Sequence, residues 1–354
     1  MPKNHGGWDE VPVVSAPPDF KNLLAVLEKG KPARPTLFEF FLNDPLYRRL
    51  AGLPDPRWPS GLSNTLLAAH AFAKAGYDYV TFHLPDFTFE AGAVRQQATR
   101  SLNEGAVISD RASFDTYRWP DPAAADYRVF DRIALHLPKG MKVIVSGPGG
   151  VFENAIKLVG YEALCCMIAD DERLVFDVFE AIGSRLVQYY RNCIRHPAIG
   201  ALIGNDDWGF KSQTMFAPAD MRRFIFPWHR QIVEAAHAAG KPAILHSCGC
   251  LGSVMDDVVD GMKYDAKHSY EDAIQPVEGA YAQYHGRIAI LGGIDVDFIC
   301  RSAPEDVYNR SLRMLELSAS SGAYALGTGN SVPEYVPDTG YFAMIRAALD
   351  FRNT

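Results

Sequence analysis

The chain has 354 residues, 48% of them hydrophobic, enough to bury a large core. Its net charge of −7 and pI near 5.8 argue against nucleic acid or an anionic membrane surface as the main partner. The N-terminus lacks an apolar signal core, no run approaches the ~18 apolar residues of a spanning helix, and six cysteines form no paired framework. A cytoplasmic enzyme-sized protein is expected.

About residues 1–33 read as an irregular arm ending in a helix, with Phe20, Leu23, Leu24, Val26 and Leu27 on one face. Arg34 to Leu42 is a β-rich run, Asn64 to Gly76 an Ala-rich helix with a Gly stop, and Tyr77 to Leu84 a second strand. The polar, unperiodic stretch from about 86 to 119 reads as a long loop or lid over one end of the fold. A helix over Pro122 to Leu137 leads to a third strand, Met141 to Ser146. The Gly147-Pro-Gly-Gly150 loop that closes it suggests a phosphate loop, but no Gly-Lys-Ser/Thr follows and Pro148 interrupts the pattern.

Two helices follow, the longer from about Glu172 to Arg195, then a fourth strand, Ile199 to Asn205, ending in Asp206-Asp-Trp208. A helix from Pro218 to Gly240 precedes Ala243-Ile-Leu-His-Ser-Cys-Gly-Cys250. Further strands fall at Tyr264 to Tyr270, Arg287 to Ile294 and Ala323 to Leu326, with helices between them and a closing helix from Tyr341 to Phe351. Eight strands each followed by helix, without a linker, predict a single (β/α)8 TIM-barrel domain over 1–354 with an N-terminal helical arm.

In such a barrel, chemistry sits at the C-terminal strand ends. Those ends carry Glu39 and His83, then Asp206 and Asp207, then His246 and Cys248, Lys267, His268 and Glu271, Asp295, and Asn330. Each also has an ordinary structural reading: Glu39 as an ion-pair partner, Asp207 and Asp295 as helix caps, Asn330 as a turn residue. Residues i and i+2 of a strand face the same side, so His246 and Cys248 enter one space and could hold half of a zinc site; the competing reading is a packed core pair.

Three segments carry a family likeness: His246-Ser-Cys-Gly249, Gly292-Gly-Ile-Asp295 and Gly327-Thr-Gly-Asn-Ser-Val-Pro-Glu-Tyr-Val-Pro337. With them the chain resembles the uroporphyrinogen decarboxylase superfamily from about Arg34 onward. One branch decarboxylates a tetrapyrrole without a cofactor; the other comprises zinc enzymes that move a methyl group between a corrinoid protein and a small molecule. The decarboxylase branch carries an arginine-bearing Met-Arg-Gln-Ala-Gly-Arg element and an Asp ending the second strand. Here the element reads Phe38-Glu-Phe-Phe-Leu-Asn-Asp-Pro-Leu-Tyr-Arg48 and His83 takes the Asp position. Glu39 and the phenylalanines are electrostatically wrong for a polycarboxylate, which excludes uroporphyrinogen as substrate.

The methyltransferase branch is therefore the nearer match. The resemblance implies Zn2+ held by His246, Cys248 and Glu271, while Asn330 stands where a ligating Cys is expected; Cys250 is an alternative soft ligand if its loop turns inward. It further implies methylcobalamin carried by a partner corrinoid protein, a small methoxy or thiol compound as substrate, and a homodimer. His83, Asp206, Asp207 and Lys267 would handle protons and orient the substrate, which Glu39, His268, Asp295, Asn330 and Tyr335 would help bind. The competing reading is a cofactor-free carboxy-lyase acting on a different carboxylic acid, with Lys267 or His83 as acid.

Overall fold

The computed structural model describes residues 7–14, 16–92 and 101–352; the remainder of the expected arm (1–6 and 15) and residues 93–100 of the expected lid lie outside them. Seven strands form one parallel sheet in sequence order: β1 (Tyr79–Phe82), β2 (Lys142–Ser146), β3 (Ile199–Asn205), β4 (Ala243–His246), β5 (Ala266–His268), β6 (Ala289–Leu291) and β7 (Tyr324–Ala325). Every neighbouring pair is parallel. β2 to β7 are buried almost throughout, as expected for strands covered by helices on one side and facing a filled interior on the other.

The expected first strand is the main departure. Residues 36–42 form no ladder; Leu37 and Leu42 make isolated parallel bridges to Leu326 and Val332. On the other edge, side chains replace the ladder. The Tyr79 hydroxyl donates to the Glu39 carbonyl at 2.6 Å and accepts from the Glu39 N–H at 2.7 Å, while Thr81 Oγ1 donates to Phe40 O at 2.6 Å. The segment thus lies between the two edges of a curled seven-stranded sheet, and a complete eight-stranded ladder is not formed among the described residues. Aromatic bulk explains why: Phe38 is stacked on Tyr79 at 5.5 Å and packs edge-on to His268 at 5.1 Å, filling the space that a flush strand would occupy.

Helices follow the sequence periodicity closely where it is long, as in Ser63–Ala75, Glu172–Cys193 and Pro304–Ser318. The helix expected from Pro218 to Gly240 breaks at Ile225 into Pro218–Phe224 and Phe226–Ala238, because Pro227 cannot supply a backbone N–H within a helix. The stretch expected to be wholly irregular after residue 86 contains a capped helix, Arg111–Thr116, with Asp110 and Ser113 forming its capping box. Its neighbours are anchored: Phe87 stacks on Tyr189 at 4.9 Å and the guanidinium of Arg185 lies over Trp119 at 5.1 Å. Among the described residues no helix is long and apolar enough to cross a membrane.

Candidate metal centre

Register positions the site. β3 and β4 pair Asn205 with His246, and β4 and β5 pair His246 with His268, so three strand ends finish at one level. Beyond them the loops after β3 and β4 are stitched together: Asp206 N donates to His246 O at 3.0 Å, Trp208 N to Ser247 Oγ at 3.2 Å, Gly209 N to Cys248 O at 3.2 Å and Cys250 N to Phe210 O at 2.8 Å. This zipper needs Gly249, whose φ is +87° and whose Cβ, if present, would lie 2.1 Å from Gly209 O. Its result is that Asp207 Oδ1 accepts from Cys248 N at 2.8 Å.

Ligand atoms of Asp207, His246 and Cys248 consequently lie within 4.8 Å of one another. His246 Nε2 stands 3.9 Å from Cys248 Sγ, so the His-x-Cys pair does enter one space. The acidic member differs from expectation. Glu271 lies outside this group, because after β5 the chain crosses toward the β7 loop, with Tyr270 N donating to Gly329 O at 2.9 Å; Glu271 instead borders two adjoining cavities. Cys250 is also outside the group and lines the cavity on its far side.

Hydrogen bonding sets the histidine tautomers. His268 Nε2 faces the carbonyl of Thr328 at 3.4 Å, and a carbonyl only accepts, so Nε2 carries hydrogen. Burial, then the neighbouring His246, holds His268 well below the usual imidazole pKa, so it is neutral and its Nδ1 is bare. That atom lies 2.8 Å from His246 Nδ1, which must therefore donate. Burial pulls His246 itself down to about 4. His246 thus presents a bare Nε2 toward Cys248 and Asp207, the arrangement that orients a ligating imidazole.

The sulfur is prepared in the same sense. Ser269 Oγ donates to Cys248 Sγ at 3.4 Å, and so does Asn330 Nδ2 at 3.4 Å. Burial, then the charge of Asp207, pushes the Cys248 thiol up to about 12, so an anionic sulfur needs a cation beside it. One nitrogen, one sulfur and one carboxylate, each held by a hydrogen bond, is a donor set that fits zinc.

The other expected residues divide. Lys267 is buried, its Nζ donating to Ser269 O at 2.6 Å and lying 4.2 Å from the Tyr270 ring centroid, and burial pulls its pKa down to about 8. It lines a cavity of about 300 Å3 with Ser269 and Glu271. His83, pulled down by burial, lines a second cavity of about 840 Å3 with Phe40, Thr81, Ser146 and Asn205. Phe40 connects this space to the metal group, its ring 4.8 Å from that of His246. Asn330, Asp295 and Tyr335 border a third cavity, of about 500 Å3, where Tyr335 is exposed.

Three of the expected residues have their carboxylates engaged by protein partners. Asp206 accepts from Phe152 N at 2.9 Å, Glu153 N at 2.8 Å and His229 Nε2 at 2.9 Å. Asp295 caps the helix Val296–Arg301 through Phe298 N and accepts from Asp272 N at 2.8 Å. Glu39 is fully buried on Thr328, accepting from its N–H at 2.6 Å and its hydroxyl at 2.7 Å, and burial pushes its pKa up to about 8. Sequence reasoning missed Ser269, Thr328 and Glu153. Glu153 is raised to about 8 by burial and then by the charges of Asp206 and Asp207. Only Glu153 carried a signal, its place three residues after Gly150 at a helix start.

Comparison with known proteins places the fold in a family. The family profile described as uroporphyrinogen decarboxylase (URO-D) matches residues 95–351. Among solved structures, a methyltransferase from Methanosarcina mazei superposes with a TM-score of 0.68 at 14% identity, over 93% of this chain and 98% of that one. A protein assigned as a vitamin-B12 independent methionine synthase from Listeria monocytogenes gives a TM-score of 0.50 at 11% identity, over 90% of this chain and 98% of that one. No curated protein sequence matches. Three strand ends at one level, the loops locked beyond them and a profile match over most of the chain lead to one assignment: the chain belongs to the uroporphyrinogen decarboxylase family.

Proposed function

We propose that the protein is a methyltransferase that moves a methyl group between the cobalt of a corrinoid protein and the oxygen or sulfur of a small compound. The observation that carries this reading is the convergence of Asp207, His246 and Cys248, with His268 fixing the tautomer of His246. Zinc held by those three residues would supply Lewis acidity toward a thiol, hydroxyl or methoxy oxygen at neutral pH. A methyl-transfer site needs such acidity because the atom that gains or loses the methyl must carry negative charge; a decarboxylase needs cationic groups for carboxylates instead.

The chain's own residues then have separable tasks. The 840 Å3 cavity beside His246 holds the small compound, and its phenylalanines and tyrosine exclude water from the methyl group. Neutral His83 lines that cavity and accepts or returns the proton of the substrate. Lys267, whose pKa burial lowers to about 8, is still mostly cationic at pH 7 and balances the charge of Asp207 and Cys248. In this reading the whole chain acts as one barrel domain, the corrinoid protein docks over the mouth of the barrel, and the Methanosarcina methyltransferase is the relevant likeness.

Elemental analysis of the purified protein, followed by the visible spectrum of methylcobalamin with methoxy and thiol compounds, tests the proposal. About one zinc per chain and a His246-dependent change in the cobalamin spectrum are expected. Carbon dioxide release from a carboxylic acid that is unaffected by His246→Ala would overturn it in favour of acid-base chemistry at Lys267.

A further inference from the structure

Position 330 carries an amide where a ligating Cys is expected, and its side chain is placed by the loop around it. The loop from Gly327 to Asn330 is held firmly: Gly293 N donates to Thr328 O at 2.9 Å, Gly329 N to Ile294 O at 2.7 Å and Tyr270 N to Gly329 O at 2.9 Å. Gly329 permits that approach, since a Cβ there would lie 2.2 Å from Tyr270 O. Asn330 is therefore delivered to Cys248 by backbone bonds. Its Nδ2 lies 3.4 Å from the sulfur, and its Oδ1 faces Ser331 Oγ at 3.5 Å. With the sulfur anionic, the reverse amide orientation would set an oxygen lone pair against it and lose that contact, whereas Ser331 Oγ can donate or accept in either orientation.

Ser269 approaches the same sulfur from the end of β5, its hydroxyl also at 3.4 Å. Two donors from separate elements converge on one atom. An amide nitrogen has no lone pair for a metal, so neither contact enlarges the ligand set; both draw electron density out of the sulfur.

We propose that Asn330 and Ser269 are positioning residues of the metal centre, which hold Cys248 Sγ toward Asp207 and His246 and weaken its electron donation, leaving the bound ion more acidic than one thiolate alone would. This rests on the metal reading above and assigns to this chain a hydrogen-bonded single thiolate. The effect is read at the sulfur and independently of turnover. Hydrogen bonds stabilise the sulfur lone pairs, so their loss brings those electrons closer in energy to the metal's empty orbitals.

The experiment is the electronic spectrum of the full chain loaded with Co2+ in place of zinc. The unaltered protein should show a sulfur-to-cobalt charge-transfer band with the intensity of one thiolate. Asn330→Ala and Ser269→Ala should each move that band to longer wavelength at unchanged intensity, and the double variant should move it further. Asn330→Leu, close in shape but with neither N–H nor charge nor ligand atom, should behave like Asn330→Ala, which separates hydrogen bonding from packing. A band that is present but stationary in all these variants overturns the proposal and leaves the metal reading intact. A protein that binds Co2+ without any such band, or binds none, overturns the ligand assignment and this proposal with it.

Discussion

The ends of β3, β4 and β5 and the seam around residues 36–42 are built on opposite plans. At the strand ends, backbone pairing does the positioning: Asn205, His246 and His268 share one level, and the chemistry follows from the register. At the seam there is almost no ladder, and side chains do the work, with one tyrosine hydroxyl serving both the N–H and the carbonyl of Glu39. The candidate metal group is thus placed where the backbone is regular, whereas closure of the sheet is left to hydroxyls and aromatic rings that tolerate the bulk of Phe38. The two regions meet at Thr328, whose amide and hydroxyl bind Glu39 and whose carbonyl sets the tautomer of His268.

The largest expected effect tests the register side. His246→Ala or Cys248→Ala should remove bound zinc altogether, read by elemental analysis, while Glu271→Gln should retain a full equivalent. If Glu271→Gln also lost the metal, the acidic ligand would lie on the β5 loop and Asp207 would be displaced from the group. The seam has its counterpart in Tyr79→Phe. That change strips both buried backbone groups of Glu39 of their partner, so unfolding in urea should show a loss of about 3 kcal/mol. Thr81→Val, which removes a single bond to Phe40 O, should cost only about 1 kcal/mol.

This contrast also explains what could be read from the sequence. Strand periodicity put His246 and Cys248 on one side, and the alternation of strands and helices gave the order of the sheet, because both depend on local backbone geometry. Asp206 and Asp207 were indistinguishable as adjacent carboxylates; the helix start at Phe152, 54 residues away, and His229 claim the first of them. Glu271 falls outside the group for a related reason, since a residue three beyond a strand end is directed by its loop. Ser269 and Thr328 are ordinary hydroxyl residues whose roles depend entirely on partners distant in sequence. The expected first strand failed because its apolar run counts Phe38 and Phe40 as strand formers, while their rings fill the interior against His268 and His246.

A smaller effect probes the junction from the metal side. His268→Leu keeps the volume roughly but removes the acceptor for His246 Nδ1–H, so His246 loses its fixed tautomer. Zinc affinity measured by competition with a chelator should fall about 10-fold to 100-fold, without the complete loss expected for His246→Ala. An unchanged affinity would mean that the pairing of the two rings is a packing contact and nothing more.

The smallest effect is a pH dependence, and it isolates the seam from the metal group. Glu39 has its pKa raised by burial from 4.5 to about 8, so the folded protein holds a proton there that the unfolded chain releases. Stability from this group is therefore fully present below about pH 4.5 and declines as pH rises toward 8. Glu39→Gln should remove that decline while keeping both bonds to Thr328, since Gln accepts from the N–H and donates to the hydroxyl oxygen. Near pH 7 the variant should be more stable by about 1 kcal/mol, after allowing for relaxation around a buried charge. Below pH 5 the two proteins should unfold alike. Glu153, also raised to about 8, keeps part of the decline in both proteins, so the difference between their melting curves is the quantity to measure. A constant difference across pH would show that Glu39 is ionised throughout and that a cationic group compensates its burial.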